Sequence, residues 1–344
     1  MAGTDLRYRA QHAGEVVRLE DAASQSAVSV SPAAGNNAFE MRIGGWNVLW
    51  FPYDSLEDFK GRGQGRGGIP FLGPWANRLD EQAFYANGRR FAFDMEIGNV
   101  RGSNPIHGLL MRTDRWRVVD VSADDREAWV TSRLDFFRDP LWMKQFPFAH
   151  TIEMTHRLRN GMLEVTTRIV NLCDDPMPVA IGFHPYFQFS DSGRDEWAVA
   201  IGARTRWRLS AAKLPTGETE AIENVVPDPR TVPLKDYDLD HVFSDLVRDG
   251  DGRAVMSAWA RDQRLDVEVG PNYRAMVVYA PSAPPLPADG APSRGDFVCL
   301  EPMAGITNSM NLAHRGLYDD LQYIPAGGTW QESFRIRPSL GGKR

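Results

Sequence analysis

The sequence predicts an all-β fold in which antiparallel strands pack face to face as a large sandwich, and three observations predict it. Short runs rich in Val, Ile, Thr, Phe, Trp and Tyr recur along the whole chain with period-two alternation. Asn-Gly dipeptides join such runs at 87–88 and 160–161, where they suit the positive φ angles of tight hairpin turns. Helical periodicity is scarce, which argues against a parallel sheet flanked by helices.

The strand-like runs lie at 116–121, 128–136, 151–158, 163–172, 196–203, 265–269, 275–280 and 334–337. Asn87-Gly88 separates Phe84-Tyr85 from Phe91-Ala92-Phe93, and Asn160-Gly161 links two alternating runs. Asp249-Gly250-Asp251-Gly252 reads as a third tight turn. Two Gly/Pro-rich stretches, 61–68 and 281–295, interrupt the pattern. Composition is similar on either side of both, so they are expected to be loops of one domain spanning residues 1–344.

At 344 residues, 42% hydrophobic and 24% charged, the chain can bury a substantial core and is not expected to be disordered. A formal net charge of -6 gives no electrostatic reason to expect a nucleic acid or an anionic membrane as partner. A small polar ligand fits better. Cys173 and Cys299 are the two cysteines, too few for a disulfide framework or a paired-cysteine zinc site, so reduced thiols are expected. Residues 1–30 lack the apolar run of a secretory signal or membrane span, and a cytoplasmic location is the expectation.

Five segments place a polar residue where its apolar neighbours do not explain it. GGIPFLGPWANRLD sets Arg78 after an apolar, proline-containing run; it either pairs with Asp80 or a carbonyl at the surface, or finds its acceptors on a hydroxyl-rich ligand. NPIHGLL brackets His107 with Pro105 and Gly108, which shape irregular backbone whether the histidine is structural or functional. AIGFHPYFQF surrounds His184 with aromatics; it is a core histidine beside a bulge at Pro185, or an imidazole tuned by burial and a charged partner. DYDLDHVFSD holds Asp240 among three other acids, and spacing does not say which carboxylate points inward. FVCLEPM carries Glu301 on the same face as Cys299 and Phe297, where desolvation would raise its pKa and suit it to act as a base near neutral pH.

Taken in order, GGIPFLGPWANR, NPIHGLL, GFHPYF, LDHVF and FVCLEPM resemble the aldose 1-epimerase (galactose mutarotase) family over most of the chain. The resemblance implies a β-supersandwich with a sugar bound in an open cleft on one sheet. It implies Glu301 as catalytic base, His184 as catalytic acid, and His107, Arg78 and Asp240 as substrate-positioning groups. Such chemistry takes the proton of the C1 hydroxyl while the ring oxygen gains one, so no cofactor is expected.

Pro185-Tyr186-Phe187 after His184 leaves the sugar open. Lys60, Arg62 and Arg66 either form a solvated basic loop or meet a phosphate, and hexose-6-phosphate epimerases share this fold. The loop lacks the Gly-Lys-Ser/Thr ending of a nucleotide-binding loop. A non-catalytic carbohydrate-binding protein is the alternative from another class, with Trp75, Tyr186 or Phe187 as stacking surfaces. His150 and His156 fall on one strand face without a recognised ligand spacing, so no catalytic metal is expected.

Overall fold

The computed structural model describes residues 6–62, 65–96, 100–283 and 296–341. Alternation translates directly into one-sided strands: Ala128–Asp135 and Met162–Asn171 bury every second residue along their full length. A strand with one apolar face is stable only when that face is covered. The chain meets this requirement with three large antiparallel sheets, of five, nine and eight strands among the described residues.

The five-stranded sheet follows chain order from Tyr8–Ala13 to Trp46–Asn47. The nine-stranded sheet is built around His150–Arg159, Met162–Asn171 and Thr329–Leu340. The eight-stranded sheet runs from Pro215–Ala221 through Ala203–Leu209, Leu239–Leu246, Ala275–Ala280 and Val298–Met303 to Gly182–Phe183 and Phe71–Leu72. One buried cluster reaches from Tyr8 to Ile336, and a second packs Trp207, Val242, Val277 and Met303 on the eight-stranded sheet. At about 1.5–3 kcal/mol for each fully buried large apolar side chain, these clusters are the main favourable term.

The turn predictions hold at backbone level. Asn87-Gly88 and Asn160-Gly161 both have positive φ, and each closes a two-residue hairpin. Arg248 bridges Ala254 across the turn at 249–252. The run at 275–280 is a strand with those bounds, and the others shift by one to a few residues.

The run at 196–203 differs. Glu196 ends a 3-10 turn, Ala198–Ala200 joins the nine-stranded sheet, and Ala203 already begins a strand of the eight-stranded sheet. The chain changes sheets at Ile201-Gly202, where a Cβ on Gly202 would lie 2.3 Å from the Val255 carbonyl oxygen. The first part of the 61–68 stretch is the end of a short helix, Leu56–Arg62, whose acidic first turn favours helix initiation. Residues 63–64 and 284–295 of the two predicted loops lie outside the described residues. Among the described residues no helix is long and apolar enough to cross a membrane.

Candidate active site

Strand register assembles the site. Asp240 pairs with Tyr279, Tyr279 with Cys299, and Cys299 with Tyr186, giving one row across four strands. Two residues along, and therefore on the same face, Val242 pairs with Val277 and Val277 with Glu301. Gly182 pairs with Met303 and Tyr186 with Cys299 along one edge of the Val298–Met303 strand. The same register sets His184 opposite Glu301, in the gap where Pro185 interrupts the ladder. His184 instead donates its backbone N–H to the Pro70 carbonyl at 3.0 Å, and Tyr186 donates to Gly68 at 2.9 Å, which ties the GGIP segment to the site.

The result is a contact of 3.2 Å between His184 Nε2 and Glu301 Oε1. Glu301 is 1% exposed, and its Oε2, like His184 Nδ1, has no hydrogen-bond partner among the described residues. Burial pushes the Glu301 carboxyl well above the usual carboxylate range; the Asp240 charge adds to this and Arg78 opposes it. Burial also takes His184 down to about 3, with Arg66 and Arg78 contributing. Burial thus favours the uncharged form of each partner, a carboxylic acid beside a neutral imidazole with one proton to share between them. The His184 ring stacks on Tyr186 at 4.5 Å and meets Tyr279 edge-on at 5.9 Å.

His107 reaches the same place from the other side. Its ring lies 5.5 Å from that of His184, edge to face. Its backbone has φ +58°, and Gly108 follows at +60°, so close to the 71–76 segment that a Cβ there would sit 2.0 Å from the Gly73 oxygen. The Asn77 backbone N–H donates to His107 Nδ1 at 3.3 Å. An amide N–H can only donate, so Nδ1 accepts and the proton of the neutral ring resides on Nε2. Burial, then the neighbouring His184 and Arg78, holds His107 well below the ordinary histidine value and so keeps it neutral.

Arg78 is held by Asn77, whose Oδ1 accepts from both its backbone N–H and Nη1. The alternative pairing with Asp80 does not form: Asp80 binds Arg315 at 2.6 Å and Asn311. The carboxylates that act on Arg78 are Asp240 and Glu301. Asp240 is the member of its acidic stretch whose charge reaches Arg78, Glu301 and Cys299, and Lys213 Nζ lies 3.5 Å from it. All five residues singled out in the sequence thus lie around one site.

Two of the three aromatics offered as stacking surfaces are corrected. Trp75 and Phe187 are core residues, 2% and 0% exposed, because the segments around them pair with neighbouring strands and turn both rings inward. Trp75 packs on Phe93 at 4.7 Å, and neither ring offers a stacking face. Tyr186 does border the site, although His184 covers one face of its ring. Lys60 is engaged by Glu15 at 2.5 Å, and the Arg62 side chain lies outside the described residues. His150 and His156 are both buried and neutral, with His150 stacked on Phe136 at 4.3 Å.

Sequence reasoning missed Tyr279, Lys213 and Arg101. Tyr279 reads as one more residue of an apolar strand, and only its lateral pairing with Asp240 and Cys299 reveals its position. Arg101 is exposed, on a two-residue strand, yet its charge acts on His107 and Tyr279. Among the described residues neither Arg66 nor Arg101 has a carboxylate partner.

Solved structures share this architecture. A galactose mutarotase-like protein from Clostridium acetobutylicum superposes with a TM-score of 0.80 at 23% identity, covering 98% of this chain and 100% of its own. A galactose 1-epimerase from Lactobacillus acidophilus gives 0.74 at 17% identity, covering 97% and 98%. An aldose epimerase homologue from C. elegans gives 0.72 at 17%, covering 92% and 96%. At such identities these likenesses establish the fold. The model of the aldose 1-epimerase family matches residues 45–337, a span that contains all five site residues, and the chain belongs to that family.

Proposed function

We propose that the protein interconverts the α and β anomers of an aldose by opening and resealing the pyranose ring. The observation that carries this reading is the contact between Glu301 and His184, a buried acid–base pair with a proton to share. Passing that proton from carboxyl to imidazole gives a carboxylate able to take the C1 hydroxyl proton and an imidazolium able to protonate the ring oxygen. The C1–O5 bond breaks, the open-chain aldehyde rotates about C1–C2, and the reverse transfers close the ring on the other face. Protons and electrons balance within the pair, and no external reductant or oxidant enters.

His107 contributes an Nε2–H donor and Arg78 a guanidinium, both suited to sugar oxygens on which negative charge builds. Asp240 accepts from hydroxyls at the other end of the row. Polarimetry on freshly dissolved α-glucose and α-galactose tests the proposal. Acceleration over buffer that disappears in Glu301→Gln supports it, and no acceleration for any aldose or aldose 6-phosphate overturns it.

A second reading, a hexose 6-phosphate as the substrate, is favoured by Arg66 and Arg101, cations near the site that have no carboxylate partner among the described residues. A dianion would complement them. A kcat/KM for α-glucose 6-phosphate well above that for α-glucose, lost in Arg66→Ala, would select this reading over neutral sugars.

A further inference from the structure

The row that carries Cys299 and Glu301 has a property that proton transfer does not use. Cys299 and Glu301 are two residues apart on one strand and project from the same face, while His184 stands opposite Glu301 on the neighbouring segment. One donor atom from each lies within 4.8 Å of the others, and all three residues are buried. Thiolate, imidazole and carboxylate are the ligand types that bind zinc, at about 2.3, 2.0 and 2.1 Å. A tetrahedral ion with those bonds needs its ligand atoms roughly 3.4–3.6 Å apart. The His184–Glu301 edge is already 3.2 Å, so side-chain rotations of about 1 Å complete the triangle.

We propose that His184, Cys299 and Glu301 form a site for a thiophilic divalent cation of the Zn2+ or Cd2+ class, and that its occupation switches the site off. Glu301 Oε2 and His184 Nδ1, both buried and without a hydrogen-bond partner among the described residues, leave each side chain with an atom free for a ligand. The Cys299 thiol proton and the proton held on Glu301 both leave to solvent as the S–metal and O–metal bonds form. Thiolate and carboxylate then neutralise the ion, with Asp240 adding a third negative charge nearby. Arg78 and Arg66 oppose a cation here, but the two anionic ligands act on the ion at bond distance, and with Asp240 the negative groups outnumber the two arginines. Three protein ligands leave a fourth position for water. The sulfur ligand selects against Mg2+ and Ca2+, which prefer oxygen.

The inhibitory consequence rests on the proposed proton-transfer roles; the binding itself does not. The test titrates metal-free, full-length protein with Co2+ and then Zn2+, followed by near-ultraviolet absorption and polarimetry. The expected results are a thiolate-to-cobalt charge-transfer band that Zn2+ removes, and at least tenfold loss of mutarotation with one equivalent of Zn2+, reversed by EDTA. Cys299→Ser should abolish the band and weaken Zn2+ binding at least 100-fold, whereas Cys173→Ser should retain both. Glu301→Gln, which removes a ligand without touching sulfur, should weaken Zn2+ binding as well and guards against a misfolded cysteine variant. Absence of the band in the parent, or its persistence in Cys299→Ser, overturns the site. A normal band in a protein that accelerates no mutarotation would leave the site standing and remove the catalytic reading instead.

Discussion

Replacing Glu301 by Gln removes the proposed proton acceptor while keeping the shape and one oxygen at the end of the side chain. A general base contributes about 10²- to 10⁴-fold, or roughly 3–5 kcal/mol of barrier. The structure favours the middle of that range. Glu301 is 1% exposed, which keeps bulk water from replacing it, while His184 at 3.2 Å remains as a weak substitute base. The expected outcome is a kcat about 10³-fold lower with KM changed less than threefold, because the amide oxygen still accepts a hydrogen bond. Thermal stability should not fall, since burial already disfavours the charged carboxylate and the amide carries no charge to desolvate. Glu301→Asp is the companion: it draws the carboxylate back by about one C–C bond, ~1.5 Å, and a misplacement of that order costs about 10²-fold. Coupled polarimetric progress curves at several sugar concentrations, with near-UV circular dichroism to verify folding, read both. A folded Glu301→Gln variant within tenfold of the parent would place the base elsewhere.

Three further outcomes follow from named features. With His184 drawn down to about 3 by burial and Glu301 drawn up, the singly protonated pair spans the range between, so the kcat/KM profile should show no acid limb near pH 6.5; such a limb would contradict a buried neutral His184. Burial depresses His150 and His156 from an unfolded value near 6.5 to about 4. Their stabilisation is therefore complete above pH 6.5 and is lost as pH falls toward 4, about 2 kcal/mol each by pH 5; urea midpoints should fall over that window, and less so in His156→Gln. Gly108→Ala would put a Cβ 2.0 Å from the Gly73 oxygen at φ +60°, so we expect a stability loss of about 2–3 kcal/mol by chemical denaturation and a displaced His107; an unchanged midpoint would show that this contact relaxes freely.

Local information in the sequence reached far. Alternation and Asn-Gly turns specify individual strands and hairpins because side-chain direction and turn dihedrals depend on near neighbours. Glu301 stood out because a carboxylate inside FVCLEPM has no local explanation. Lateral registration depends on which strands meet, and no short-range pattern encodes it. For that reason Tyr279 stayed hidden in AMVVYA, Trp75 and Phe187 looked like available aromatics when they are core, and the run at 196–203 concealed a change of sheet. Asp240 could be told from its acidic neighbours only once Leu239–Leu246 lay beside Ala275–Ala280.

The backbone amide of Asn77 has a consequence for selectivity. By occupying Nδ1 it leaves the imidazole of His107 a single outward function, a hydrogen-bond donor that cannot turn into an acceptor without breaking the amide contact. A deoxy analogue lacking the facing oxygen would strand that donor in a desolvated wall, a penalty of about 1–3 kcal/mol. Under the proposed function, discrimination among sugars would be written partly into main chain, where side-chain substitution cannot easily erase it.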